Sequence, residues 1–356
     1  PSAAKPVIDF NRDIRPILSN HCLKCHGPDD KQRAAGLRLD TYQGAVSLLR
    51  SGKRAIVAGN IKQSELVKRI HAVGSLQMPP ITANKPLSQA QKSLLDRWIA
   101  TGATYKQHWA FIPPQPHILK QSPGHPIDTI VRKRQKDLKL SHAPQAGKLE
   151  LLRRLSLDLT GLPPSPSTIT DFLADNKPGA YERQVDALLA SPHYGERWAR
   201  KWMDLARYAD TNGYEKDRPR TIWPWREYVI NAFNKDKSFQ SFTIEQLAGD
   251  MLPNATDEQR IATGFHRNTM LNEEGGIDPN EYRFLSVVDR VATTGTSWLG
   301  LTVACAQCHT HKFDPITHTD YYRMFAYLNN ADEPDFAVYT EAQKQSHKES
   351  VAKARA

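Results

Sequence analysis

Apolar residues at Phe10, Ile14, Ile17 and Leu18 recur at the spacing of one face of an α-helix, and Asp9 stands where an N-cap oxygen would serve the first free amides. That helix runs directly into Cys22. Ser88 and Gln91 form a capping-box pattern, and Leu94, Leu95, Trp98 and Ile99 make the apolar face of a helix that Gly102 stops. Beyond residue 126 helical period dominates. It runs through Ile127, Ile130, Val131 and Leu138, through Leu149, Leu152, Leu155 and Leu159, and through Tyr194, Trp198, Trp202 and Leu205. Gly161-Leu-Pro-Pro, Asn176-Lys-Pro-Gly and Ser191-Pro punctuate it. Strand-like alternation is scarce and no internal repeat is evident. The expected fold is all-α, with a small domain over residues 1–105 and a larger, mainly helical domain over 127–336. Pro113, Pro114, Pro116, Pro123 and Pro126, with His108-Trp109-Ala110-Phe111, mark 106–126 as a Pro-rich, stiff and ordered linker whose aromatic residues want a surface to cover, which predicts docked domains. Residues 337–356 read as a charged helical or disordered tail.

Composition narrows the class without choosing a function. With 39% hydrophobic and 24% charged residues the chain is an ordinary globular one, and no run approaches the roughly 18 to 20 apolar residues of a membrane span. The formal charge is +10, but its cations are scattered as Lys53-Arg54, Arg132 to Arg134 and Arg153-Arg154, and no nucleic-acid module accompanies them. The surplus suits an acidic redox partner or an anionic surface. The chain opens Pro1-Ser2-Ala3-Ala4 with no signal peptide, which is uninformative about export. Compartment has to come from the cysteines.

There are four cysteines, and they fall as Cys22-Leu-Lys-Cys25-His26 and Cys305-Ala-Gln-Cys308-His309. Cys-x-x-Cys-His is the attachment pattern of c-type haem: two thiols add to the two vinyl groups, and the adjacent imidazole reaches iron from the proximal side. A thioredoxin-like dithiol expects a βαβ unit, which is not seen around either motif. A zinc ribbon expects its knuckles about 15 to 20 residues apart, whereas 280 separate Cys25 from Cys305. Disulfides would not explain the paired histidines. The expectation is two covalently bound haem c groups, held by Cys22, Cys25 and His26 and by Cys305, Cys308 and His309. Because attachment takes place outside the cytoplasm, the protein is expected to be periplasmic or otherwise exported.

The sixth ligands are less plainly written. Met78 precedes Pro79-Pro80, 52 residues after His26, in a stretch too rich in Pro to be helical. A thioether presented this way favours ferrous iron and suits electron transfer. His71 is the fallback, and His21 reads as a surface or supporting group. At the second iron, His266 and Met270 are an i, i+4 pair either of which could be the ligand, with His266 favoured and an open, water-filled position the third option. His311 and Lys312 follow His309 too closely to reach the distal face. Glu273, Glu274, Asp278 and Glu281 could relay protons, although such a run is more often a solvated face. Asp210, Asn212, Glu215 and Asp217 have a faintly calcium-like spacing.

The stretches Ile8 to Leu18, Cys22 to His26, Gly36 to Asp40, Met78-Pro79-Pro80 and Leu94 to Ile99 resemble the planctomycete-type cytochrome c domain. Leu155 to Pro164, Tyr194 to Arg200, Gln246 to Asp250, Ala262 to Asn268 and Cys305 to Pro315 resemble the planctomycete haem-associated domain that follows it. The resemblance implies a small class I-like cytochrome c fold with a loop Met as ligand, at the front of a large exported protein that continues into a further domain. The expected function is a dihaem c-type cytochrome mediating electron transfer, more an electron carrier than an enzyme, with a redox partner protein and possible docking to a further domain or an enzyme. Two rivals stand beside it. One is a dihaem peroxidase-like enzyme with an open second haem; the other is a polysaccharide- or enzyme-docking module, for which Trp223 and Trp225 look available.

Overall fold

The computed structural model describes residues 7–114 and 124–355. Its regular elements are α-helices and short 3-10 or π turns; no strand occurs among the described residues, and pairing is limited to isolated bridges such as Leu48 with Arg54. The fold is all-α. No helix among the described residues is long and apolar enough to cross a membrane. The chain divides into two compact units, one formed by Pro1–Pro126 with Cys305–Tyr322, the other by Ile127–Ala304 with Arg323–Ala356. The division by sequence pattern placed Cys305–His309 within 127–336; the contacts gather that short segment into the first unit.

In the first unit, Asp9 accepts from the amides of Asn11 and Arg12 and opens a π turn, Phe10–Ile14, that passes into the helix Arg15–His21. Phe10, Ile14, Ile17 and Leu18 are all buried, as their spacing predicts. Ser88 and Gln91 complete the capping box of the helix Gln89–Ala100, which buries Leu95, Trp98 and Ile99. Gly102 follows at φ +104°, a conformation open chiefly to glycine, and ends it. Phe10, Trp98 and Tyr105 meet with ring centroids 4.5 to 5.8 Å apart, which fastens the two helices to each other.

In the second unit, Pro192–Ala206 packs along Trp223–Asn234, around a core of Ala199, Trp202, Trp225, Tyr228, Val229, Phe242 and Phe265. Gly195 makes this approach possible, because a Cβ there would lie 2.5 Å from the carbonyl oxygen of Ile230. Arg290, on the buried face of Pro279–Thr294, pairs with Glu333 at 2.6 Å.

Three expectations change. The helix predicted around Ile127 exists as Pro126–Asp137, yet none of its residues is buried; periodicity forms an apolar face but does not decide how deeply that face is buried. Trp109, in the 3-10 turn Trp109–Phe111 capped by His108, is 74% exposed instead of covering a surface; Pro116 and Pro123 of the linker lie outside the described residues. Trp225, read as available for a sugar, is a core residue at 1% exposure, while its neighbour Trp223 stays accessible at 44%. The tail forms a helix, Glu341–Arg355.

Candidate haem-attachment sites

Cys22 to His26 occupy one turn of helix, Leu23–His26, in which the amides of Cys25 and His26 both donate to the carbonyl of Cys22. Four free cysteines stand at the two motifs, so no thiol is spent on a disulfide. Burial pushes the Cys22 thiol up to about 12, which keeps it protonated, whereas Cys25 is exposed. His26 Nδ1 lies 3.3 Å from the carbonyl of Ala34; a carbonyl only accepts, so Nδ1 carries the proton and Nε2 keeps its lone pair. Burial also lowers the pKa of His26 and favours the neutral, ligating form.

The loop behind this turn is braced by residues that sequence reasoning passed over. Arg33 donates to the carbonyls of Gly27 at 3.1 Å and Pro28 at 2.7 Å, and the amide of Leu39 donates to the carbonyl of His26 at 2.8 Å. Gly27 is required because a Cβ there would sit 2.2 Å from the carbonyl oxygen of Leu23. A Gly27→Ala variant is expected to lose about 1–3 kcal/mol of stability and to take up less haem. A thermal unfolding midpoint and a haem content equal to the parent's would refute this. The position of Gly27 directly after the motif was the signal available in the sequence.

Met78 is half-buried in non-helical chain, its amide donating to the carbonyl of Arg69 at 2.9 Å. The fallback, His71, is tied through Nε2 to Asp96 at 2.8 Å. His21 is used at both ring nitrogens, by the carbonyl of Lys85 at 3.0 Å and the Gln91 amide at 3.4 Å.

Cys305 and Cys308 are exposed on either side of the buried Ala306. His309 Nδ1 lies 2.8 Å from the carbonyl of Thr310, so its proton is placed as in His26 and Nε2 is again free. Gln307, inside the motif, has its carbonyl held by His318 Nε2 at 3.1 Å and the Tyr322 hydroxyl at 3.2 Å. His311 is buried, with Nδ1 accepting from the amides of Phe313 and Asp314, at 3.3 and 2.8 Å. It organises the loop. Arg15 reaches this loop and donates to the carbonyl of Phe313 at 2.5 Å. A cavity of about 490 Å³ opens among Leu23 and Pro28 at the first motif and Thr310 and Lys312 to Thr317 after the second, with Leu39 and Tyr105 in its wall. The size is that of a small-molecule or cofactor site.

The remaining candidates lie in the second unit. His266 and Met270 do not share a helical face, because the 3-10 segment Thr263–Asn268 ends between them and Met270 is half exposed. Both ring nitrogens of His266 are buried without a hydrogen-bond partner among the described residues, and burial, reinforced by Arg290 and Arg207, lowers its pKa to about 4. Asp278 is the N-cap of Pro279–Thr294, and Glu273 faces Arg218 at 3.8 Å, so part of the acidic run is capping and surface pairing. The calcium-like reading fails: Asn212 is clasped to the backbone of Leu271, its Oδ1 accepting at 2.8 Å, and Asp217 accepts from the amide of Gly213.

The donor set at the first motif suits a covalent c-type haem: two thiols on one helical turn, a neutral imidazole with a free Nε2, and apolar walls. Comparison with known families agrees with it. Residues 22–81, from the first Cys to the end of the Met78 loop, match Planctomycete cytochrome C. Residues 126–333 match the family described as Protein of unknown function (DUF1549). No curated protein and no solved structure matches the chain. With more than half its length in the second match, the chain belongs to the DUF1549 family and carries a planctomycete cytochrome c domain ahead of it.

Proposed function

We propose that this chain is an exported dihaem c-type cytochrome that passes single electrons to and from a redox partner protein. One observation carries the reading: the two motifs repeat a single donor set, with two free thiols and a histidine whose Nδ1 proton is engaged by a backbone carbonyl, leaving Nε2 free. Both motifs also belong to the same compact unit, which favours exchange between two sites over two isolated carriers.

Haem bound at each site supplies an iron centre that gains and loses one electron. The chain does the rest. Cys22 with Cys25, and Cys305 with Cys308, would hold the group: each thiol would add S–H across a vinyl double bond, giving a thioether with the hydrogen on the neighbouring carbon. His26 and His309 would hold iron through Nε2, and Met78 would offer the first iron a soft thioether, which would raise its potential. Thioether formation takes place outside the cytoplasm, which is why the reading includes export.

Protein secreted together with haem-attachment machinery is expected to carry two haems per chain, by pyridine haemochrome assay and by intact mass. The Cys305→Ala/Cys308→Ala variant is expected to keep one. A parent chain with fewer than two haems overturns the proposal.

A further inference from the structure

We propose that the cavity in the first unit receives the carboxylate edge of a covalently attached haem, and that the ammonium of Lys312 pairs with one of its propionates. This inference rests on the two-haem reading above. The cavity has an apolar wall of Leu23, Leu39 and Tyr105 and a polar rim, the combination that a porphyrin with two carboxylates at one edge requires.

The charges on that rim do not balance. Arg38 pairs with Asp40 at 2.5 Å, Lys106 with Asp9 at 3.2 Å, and Arg15 donates to the carbonyl of Phe313. The other carboxylate in the wall, Asp314, lies 3.5 Å from His311. Lys312 has no carboxylate partner among the described residues; its Nζ lies 4.7 Å from the ring centre of Phe313. Its other charged neighbours are Lys85 and Lys24, which repel it, and burial together with these like charges lowers its pKa. A lysine kept against two others in a partly desolvated wall is stabilised by an anion delivered to the same place. Lys24 stands between Cys22 and Cys25, so the anion would arrive beside a motif. Both attached haems carry the same carboxylates, and the experiment tells which one supplies it.

The test is a redox titration of the holoprotein, following absorbance of both haems. Lys312→Met removes a positive charge that disfavours the oxidised iron, so one reduction potential should fall. At a fixed electrode potential the oxidised-to-reduced ratio should rise about tenfold, or ~59 mV, about what loss of one charge-assisted pair would produce. Lys312→Arg should restore the parent potential, which loss of packing alone would not predict; Lys312→Gln replaces the Met variant if that fails to fold. Repeating the substitution in Cys22→Ala/Cys25→Ala and in Cys305→Ala/Cys308→Ala assigns the propionate to the haem that still shows the shift. Unchanged potentials with two haems present overturn the pairing. A haem count below two in the parent refutes the two-haem reading instead, and the potential of any haem that remains still tests Lys312.

Discussion

Replacing Trp225 by alanine should remove about 3–5 kcal/mol from the second unit, while Trp223→Ala should change stability by less than about 0.5 kcal/mol. The two residues flank Pro224 at the start of one helix, Trp223–Asn234, but their surroundings differ completely. Trp225 stacks on Tyr208 with centroids 6.0 Å apart, packs at 6.3 Å from Phe265, and closes against Gly264, where an added Cβ would lie 3.1 Å from its own. Truncation would open a void that those rings cannot fill without leaving their other contacts. Trp223 sits at 44% exposure and loses little. Urea unfolding followed by far-ultraviolet circular dichroism separates the two. Equal effects at both positions would refute this account of the core.

Stability should also fall by about 3 kcal/mol as pH drops from about 6.5 to about 4, through His266 alone. The folded state holds its pKa down to about 4, because burial and then the charges of Arg290 and Arg207 disfavour the imidazolium, with only Glu333 opposing them. The unfolded chain titrates near the ordinary histidine value of about 6.5, so between these limits it binds more protons than the folded one. The contribution is therefore fully present above the unfolded pKa and is lost as pH falls through the folded one. Unfolding free energies at pH 7, 5.5 and 4.5 would show it as a slope that His266→Gln flattens. Parallel slopes in the two proteins would sink the assignment.

Much of the first unit was legible because its signals are local. A cap at Asp9, a capping box at Ser88 and Gln91, and apolar residues at helical spacing each concern neighbours within a few positions, and each forms as read. The two Cys-x-x-Cys-His motifs are local for the same reason: each gathers its two cysteines and its histidine into five consecutive residues. The second unit shows where such signals stop. Ile127, Ile130 and Val131 make a well-formed apolar stripe, yet Pro126–Asp137 leaves it exposed, since a stripe specifies a helix without specifying what faces it. Trp225 misled in the opposite direction: an aromatic beside a proline looks like a surface platform until Gly264 and Tyr208, distant in sequence, close over it.

The sequence by itself determined the all-α class, the caps at Asp9 and Ser88, and the place of the two Cys-x-x-Cys-His motifs, because each depends on spacings of a few residues along one strand of chain. Only the tertiary structure decided which proton each histidine ring holds, and that Gly27 and Arg33 brace the first site. It alone seated Cys305–Tyr322 in the first unit and, among the described residues, left His266 with two unpartnered nitrogens and Lys312 without a counter-ion. These depend on burial and on charge meeting across long stretches of chain, which packing creates and no spacing along the chain encodes.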